Sequence, residues 1–415
     1  MSKKNVIVGQ SGGPTAVINS SLYGIVFEAM EHPGEIDKTY GMVNGIEGFL
    51  KGEYLDFAQA LPGGNLEFLK STPGAYLGSC RYKLPDDLSD PVYPELFARF
   101  DELNIGYFLY IGGNDSMDTV SKLSRYAKET GSQIKIIGEP KTIDNDIILT
   151  DHTPGYGSAA RYVAQTVREI TMDAYVYEKK SVTIVEIMGR HAGWLTAAGV
   201  LARKYPGDNP LLIYLPEVDF DEEHFLAQVE EALKDNINVI VCVSEGIHDK
   251  EGRFICEYDS NVGTDSFGHK MLTGCGKYLE NLVRDRLKVK TRSVELSVNQ
   301  RCSVSMISHT DQQEAIMAGR YGLQIALKKG ITGKMISFVR CSDDPYVLAC
   351  GLENVDEVCN QEKQFPPEWI TREGTDISDD FVTYALPLIQ GAPLIPMGED
   401  GLPAFADRKM KKKER

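Results

Sequence analysis

The sequence predicts an α/β protein built from two doubly wound, three-layer domains with mainly parallel sheets. Three observations carry that expectation. Apolar runs such as "NVIVG", "VTIVEI" and "NVIVCV" lack the alternation of a half-exposed strand and read as strands buried on both faces. Longer segments with helical spacing separate them, and the two types alternate along the chain. The strands are also too numerous for one compact sheet of usual size, which divides them between two.

In chain order, Asn5–Gly9 opens with a strand, the glycine-rich turn "GQSGGPT" follows, and Ala16–Met30 has helical spacing. The strand "GYFLYIGG", the helix "DSMDTVSKLSRYAKET" and the strand "IKIIGEP" come next. After a loop the pattern continues with the helix "SAARYVAQTVREITMDAYVYE", the strand "VTIVEIMG" and the helix "HAGWLTAAGVLARK". The strand "LLIYLP", the helix "EEHFLAQVEEALKD" and the strand "NVIVCVSEG" complete it. Further on, "KQFPPEW" (Lys363–Trp369) reads as a rigid connector and Gly391–Phe405 as an irregular packed extension. The terminal "DRKMKKKER" reads as a solvated basic tail rather than a binding element.

The bulk properties exclude several classes. The chain has 415 residues, 42% hydrophobic and 25% charged, enough for two or three domains with sizeable cores. A net charge of −16 argues against broad binding to nucleic acid or anionic membrane, though a few arginines can still dominate one cleft. "MSKKNVIVG" enters a strand without an apolar leader, and no run of about eighteen apolar residues suggests a membrane span. Cys80, Cys242, Cys256, Cys275, Cys302, Cys341, Cys350 and Cys359 form no C-x-x-C pair, so they read as buried reduced thiols of a cytoplasmic protein.

In open α/β sheets, ligands gather outside the carboxyl ends of the strands. That rule selects "GQSGG", "IGGNDS", "EPKTIDND", "IMGRHAG" and "VSEG", each of which ends a strand and carries glycine, charge or both. Gly12–Gly13 and Gly112–Gly113 could bring backbone N–H groups to a phosphate, or could serve only as turns. Neither a P-loop nor a dinucleotide signature is present. Around Asn145, Lys141, Thr142, Asp144 and Asp146 form either an Asx-rich turn or a centre for phosphoryl transfer to an alcohol. In the second case one aspartate accepts a proton, the other holds metal-bound water and the lysine clamps the moving group. Arg81, Arg190, Arg292 and Arg301 lie near strand ends or turns, where guanidinium groups grip phosphate or form surface ion pairs.

Taken together, "SGGPTAVIN", "LGSCR", "GGNDS", "PKTIDND", "VEIMGRHAGWL", "VSEG" and a spaced "R…QR" resemble the phosphofructokinase superfamily in order and separation, from Asn5 to about Lys334. The resemblance implies a domain of residues 1–155 with about 300–360 that binds the phosphoryl donor, and a sugar-phosphate domain at 156–299. Residues 361–415 would be a C-terminal extension packed on the body. By resemblance, Asp144 is the base that takes the proton from the sugar C1 hydroxyl, assisted by Thr142. Met188, Gly189, Arg190 and Glu245 would line the sugar-phosphate site, and Arg292 and Arg301 would grip the 6-phosphate, one of them from a neighbouring subunit. Gly12, Gly13, Arg81, Asn114, Asp115 and Ser116 would lie along the donor, with Mg²⁺ at Asn114 and Asp146. A homodimer or homotetramer is implied as well.

Asp115 and Lys141 stand where ATP-using members carry glycine, and the pair resembles the pyrophosphate-dependent branch. The physics agrees, because a carboxylate at Asp115 repels the α-phosphate of a nucleotide while diphosphate ends short of it. Lys141 restores positive charge at the moving phosphate, and Thr119 narrows the nucleoside space. The implied reaction converts fructose 6-phosphate and diphosphate into fructose 1,6-bisphosphate and phosphate, reversibly. An ATP-dependent enzyme and a non-catalytic sugar-phosphate-binding subunit are the alternatives. Two departures stand out. Asn114 replaces the usual magnesium-binding aspartate, so Mg²⁺ would rest chiefly on diphosphate, water and Asp146. Ser181 replaces an arginine supplied across the subunit contact, so either Lys179 or Lys180 substitutes for it or that contact differs, and Val298 replaces a histidine.

Overall fold

The computed structural model describes residues 2–258, 274–328 and 330–407, so the basic tail from residue 408 onward lies outside the described residues. Strands β1 (Lys4–Gln10), β2 (Ile36–Met42), β3 (Tyr54–Asp56), β4 (Ile105–Gly112) and β5 (Lys135–Pro140) come first. Then follow β6 (Ser181–Ile187), β7 (Leu212–Tyr214), β8 (Asn238–Ser244) and β9 (Lys290–Glu295). The chain returns to the first sheet with β10 (Lys334–Asp343) and β11 (Tyr346–Asn354). The larger sheet has the order β11-β10-β5-β4-β1-β2-β3 and the smaller β7-β8-β6-β9. All pairings in the smaller sheet are parallel; in the larger, only β2–β3 and β10–β11 are antiparallel.

Every residue of β6 and β8 is buried, which is why these strands read as continuous apolar runs. Helices Ile18–Glu31 and His309–Leu327 pack on the larger sheet with their backbones in contact. Gly24 and Gly319 make this possible, since added Cβ atoms would lie 2.3 Å from Ile316 O and 2.1 Å from Ser21 O. The smaller half is tied on by Asp311, whose buried carboxylate accepts N–H bonds from Gly155 (2.8 Å) and Ser158 (2.9 Å). Those residues open the helix Tyr156–Ala174, so the carboxylate meets the positive end of its dipole.

The larger sheet has its switch point between β1 and β4, because the chain runs from β1 to β2 on one side and later enters β4 on the other. The loops after β1, β4 and β5 therefore flank one crevice. In the smaller sheet the loops after β6, β8 and β9 gather in the same manner.

Three expectations need correction. The helix over "HAGWLTAAGVLARK" shrinks to Trp194–Ala197 followed by a 3₁₀ segment Ala198–Ala202, because Gly199 lies against β8, its would-be Cβ 2.8 Å from Cys242 Sγ. The helix expected to run through "AYVYE" stops at Ala174, and the chain then turns back to enter β6. The cysteines are not uniformly buried: Cys341 is exposed on β10 beyond its pairing with β5, and Cys302, Cys350 and Cys359 are half-buried, the last two at the margins of the cores. The extension after Gly391 leaves Leu394, Met397 and Leu402 largely exposed, although Ala406 N–H bonds Thr72 Oγ1 at 2.8 Å. Among the described residues no helix is long and apolar enough to cross a membrane.

Candidate active site

The glycine turn after β1 is held from below. Gln10 and Asn19, both fully buried, bond each other at 3.0 Å. Gln10 Oε1 accepts from Leu77 N–H (2.9 Å), and Asn19 Nδ2 donates to Thr72 O and Gly74 O. This clamp lays residues 72–77 beside the turn, where Ser79 Oγ reaches Gly12 O (2.8 Å) and Ser11 Oγ reaches Cys80 O (3.0 Å). Arg81 is thereby carried to the rim of the same turn, exposed. Gly12 has φ 76°, which favours glycine.

Lys141 follows β5 and is 2% exposed. Its N–H bonds Gly112 O at 2.9 Å, and its ammonium donates to Gly13 O, so one residue joins all three loops at the switch point. Burial pulls its pKa down to about 8; Asp144 and Asp146 work against that fall and Arg301 adds to it. Thr142 Oγ1 accepts from Asp144 N–H (3.0 Å) and donates to Asp144 Oδ2 (3.3 Å), which orients the carboxylate. Asn145, with φ 56°, turns the chain between the aspartates. Both carboxylates are half-buried yet deeply surrounded, and burial raises both above the usual carboxylate range; Asp144 raises Asp146 further.

The helix Asn114–Thr130 begins beside Lys141. Asp115 is exposed at its first turn, Ser116 is 2% exposed beneath Gly112, and Thr119 Oγ1 bonds Asp115 O (3.2 Å). Asn114 donates Nδ2 to Gln361 O (2.8 Å), while its buried Oδ1 has no hydrogen-bond partner. An orphaned amide oxygen, on a side chain held by Gln361 two residues before the Lys363 N–H that bonds Asp146 O, is a donor that fits a hard cation. Among the described residues no cluster of three His, Cys, Asp or Glu side chains is placed to hold a metal by itself, so further oxygens would come from ligand and water.

On the smaller sheet, Met188 N–H bonds Gln300 Oε1 (3.3 Å), and Gly189 O accepts from Ser244 Oγ. Gly246 approaches Arg190 so closely that a Cβ would lie 2.0 Å from Arg190 O. Glu245 is pushed up to about 7 by burial, then by Asp144 and Glu186, while the Gly189 N–H and Arg190 hold it down. Arg301, which follows β9, reaches the glycine turn after β1, so the strand ends of the two sheets face one another. A small cavity at the strand ends of the smaller sheet is lined by Glu186, Met188, Glu245, Glu295, Ser297 and Gln300. A larger groove beside Arg320 and Tyr321 contains none of the predicted site residues.

The two arginines of "R…QR" are separated. Arg301 approaches the donor turn, its Nη1 3.5 Å from a Cβ built on Gly13. Arg292 lies on the edge strand β9, 3.7 Å from Asp173 and over the Tyr177 ring. Ser181 is buried and bonded to Asn238 Oδ1 (2.7 Å), whereas Lys179, Lys180 and Val298 are exposed.

The phosphofructokinase family profile matches residues 5–326. The chain belongs to the phosphofructokinase family. A pyrophosphate--fructose 6-phosphate 1-phosphotransferase of Xanthomonas campestris pv. campestris is 39% identical over 412 residues, 99% of this chain and 97% of that one. One from Halomonas elongata is 37% identical over 409 residues, 98% and 96% of the two chains. Among solved structures, the pyrophosphate-dependent phosphofructokinase of Marinobacter aquaeolei superposes with a TM-score of 0.87 at 37% identity, covering 97% of this chain and 96% of its own.

Motif reading gave no role to several residues that the structure brings to these loops. Gln300 supports Met188, and Lys363 and Tyr384 reach the aspartate turn from beyond the matched profile. "KQFPPEW" offered one signal, a lysine beside buried aromatic positions, but nothing in the local pattern says what the lysine touches.

Proposed function

We propose that this chain transfers a phosphoryl group from diphosphate to the C1 hydroxyl of fructose 6-phosphate, giving fructose 1,6-bisphosphate and orthophosphate. The observation that carries the reading is the buried Lys141 ammonium, bonded to Gly13 O beside a helix that begins Asn114-Asp115. It supplies fixed positive charge at the junction of the donor loops, where a diphosphate carries its own concentrated charge. Asp115, exposed at the helix start, opposes a third phosphate or nucleoside beyond that point.

In this reading Asp144, oriented by Thr142, takes the C1 hydroxyl proton as the oxygen attacks the terminal phosphorus. The bond to the bridging oxygen breaks and orthophosphate leaves. Burial raises the affinity of Asp144 for a proton, the direction that strengthens a base. Glu245 and Arg190 face the sugar, and Arg301 lies between the donor turn and the catalytic aspartate. Asp146 and Asn114 Oδ1 would hold a Mg²⁺ that neutralises phosphate oxygens during transfer. Because the phosphoanhydride of diphosphate is of more modest energy than that of ATP, the step runs readily in both directions.

A second copy would cover Met172, Tyr175, Val176 and Tyr177, apolar side chains exposed together beside Arg292, in a homodimer or homotetramer. Light scattering on the purified protein tests this, and a monomer overturns it. Eight free cysteines suit a cytoplasmic setting. The donor assignment is tested by giving the purified chain Mg²⁺, fructose 6-phosphate and either diphosphate or ATP. Diphosphate should support turnover and ATP should not; equal or faster turnover with ATP defeats the proposal.

A further inference from the structure

The Asp144–Asn145–Asp146 turn is held from the far end of the chain. Asn145 is fully buried with φ 56°, in the left-handed region that asparagine tolerates better than most residues. Both ends of its amide are occupied by the C-terminal segment. Nδ2 donates to Tyr384 Oη at 2.8 Å, and Oδ1 accepts from Lys363 Nζ at 3.4 Å. The Lys363 backbone N–H also bonds Asp146 O at 2.7 Å, so the turn is held on side chain and main chain together.

The holders are themselves fixed. Lys363 Nζ donates to Asp151 O (2.8 Å) and Thr150 O (3.3 Å) and lies 4.9 Å over the Trp194 ring. Trp194 Nε1 returns a bond to Lys363 O at 3.1 Å. Tyr384 donates to Asp151 O (2.9 Å), packs on Trp194 and sits beneath the Arg340 guanidinium. Two residues before Lys363, Gln361 O holds Asn114, and two after it Phe365 is fully buried with its N–H on Glu217. The segment thus joins the donor helix, the aspartate turn and the smaller half.

We propose that Lys363 and Tyr384 are positioning residues for phosphoryl transfer, holding Asn145 and, through it, the Asp144 and Asp146 carboxylates in reactive geometry. This rests on the transfer reaction proposed above. Neither residue touches the reacting atoms, so their contribution is alignment, and a misplacement of about 1 Å in such a turn costs about a hundredfold in rate. A role in folding alone would change melting temperature without a selective effect on turnover.

The test uses the full chain with diphosphate and fructose 6-phosphate. A parent without diphosphate-dependent turnover defeats the functional reading itself, before any variant is compared. Given an active parent, Tyr384→Phe should keep the ring packing and lower kcat about tenfold or more, with both KM values within about threefold. Lys363→Met should lower kcat further and Lys363→Arg should recover part of the loss. Asn145→Ala combined with Tyr384→Phe should be no slower than Asn145→Ala alone, because the two lie on one path. If Lys363→Met does not fold, the near-isosteric Tyr384→Phe decides. A kcat within about twofold of the parent in Tyr384→Phe, whatever its melting temperature, overturns the proposal, as does a fully additive double variant.

Discussion

Lys141 donates its ammonium to the carbonyl oxygen of Gly13, fastening the end of β5 to the glycine turn after β1. The contact places a buried cation at the switch point of the larger sheet, with Asp144 and Asp146 close enough to favour its charge. In the proposed function, donor choice rests on this cation and on Asp115.

Replacing Asp115 and Lys141 together by glycine removes one anion and one buried cation. Diphosphate-dependent turnover should fall about a hundredfold or more, in line with the loss of a preorganised charge. ATP-dependent turnover should rise relative to the parent. Parallel initial-rate assays with both donors measure this, and an unchanged donor ratio contradicts the charge-and-crowding argument.

Asp144→Ser shortens the side chain that Thr142 orients and removes the proposed proton acceptor. Turnover should drop about 10²–10⁴-fold. Calorimetric binding of fructose 6-phosphate should stay within a few-fold of the parent, separating lost chemistry from lost binding. A variant as fast as the parent shows that Asp144 is not the base.

His152 links alkaline stability to a buried network. Its ring nitrogens lie 2.7 Å from Asp151 Oδ1 and 2.8 Å from Glu314 Oε2, and Arg340 pairs with Asp151 at 2.9 Å. Burial opposes charge on the ring, but Glu314 and then Asp151 outweigh it and raise its pKa to about 9. A folded value above the unfolded one means that the stabilisation is fully present below about pH 6.5 and is lost as pH rises through about 9. Its size is on the order of 3 kcal/mol. Urea midpoints should decline over that window in the parent and much less in His152→Gln; parallel declines contradict the linkage.

Gly246→Ala probes the approach of the β8 and β6 loops. Its Cβ would meet Arg190 O at 2.0 Å, so backbone must shift at a cost of about 1–3 kcal/mol. The KM for fructose 6-phosphate should rise at least severalfold while the KM for diphosphate changes less. Equal changes in both would separate this loop from the sugar site.

Local order determined much of what the sequence by itself could say. Buried strands such as β6 and β8 announce themselves because both faces are covered, and glycine turns and "PKTIDND" are contiguous chemistry. The tertiary structure alone decided which distant groups meet. It set Arg301 at the donor turn and Arg292 on the edge strand β9, broke the helix expected from His191 where Gly199 meets Cys242, and brought Lys363 and Tyr384 to Asn145. Periodicity is a property of neighbours along the chain, whereas a buried amide takes its partners from whatever the folded sheets and the returning C-terminal segment set beside it.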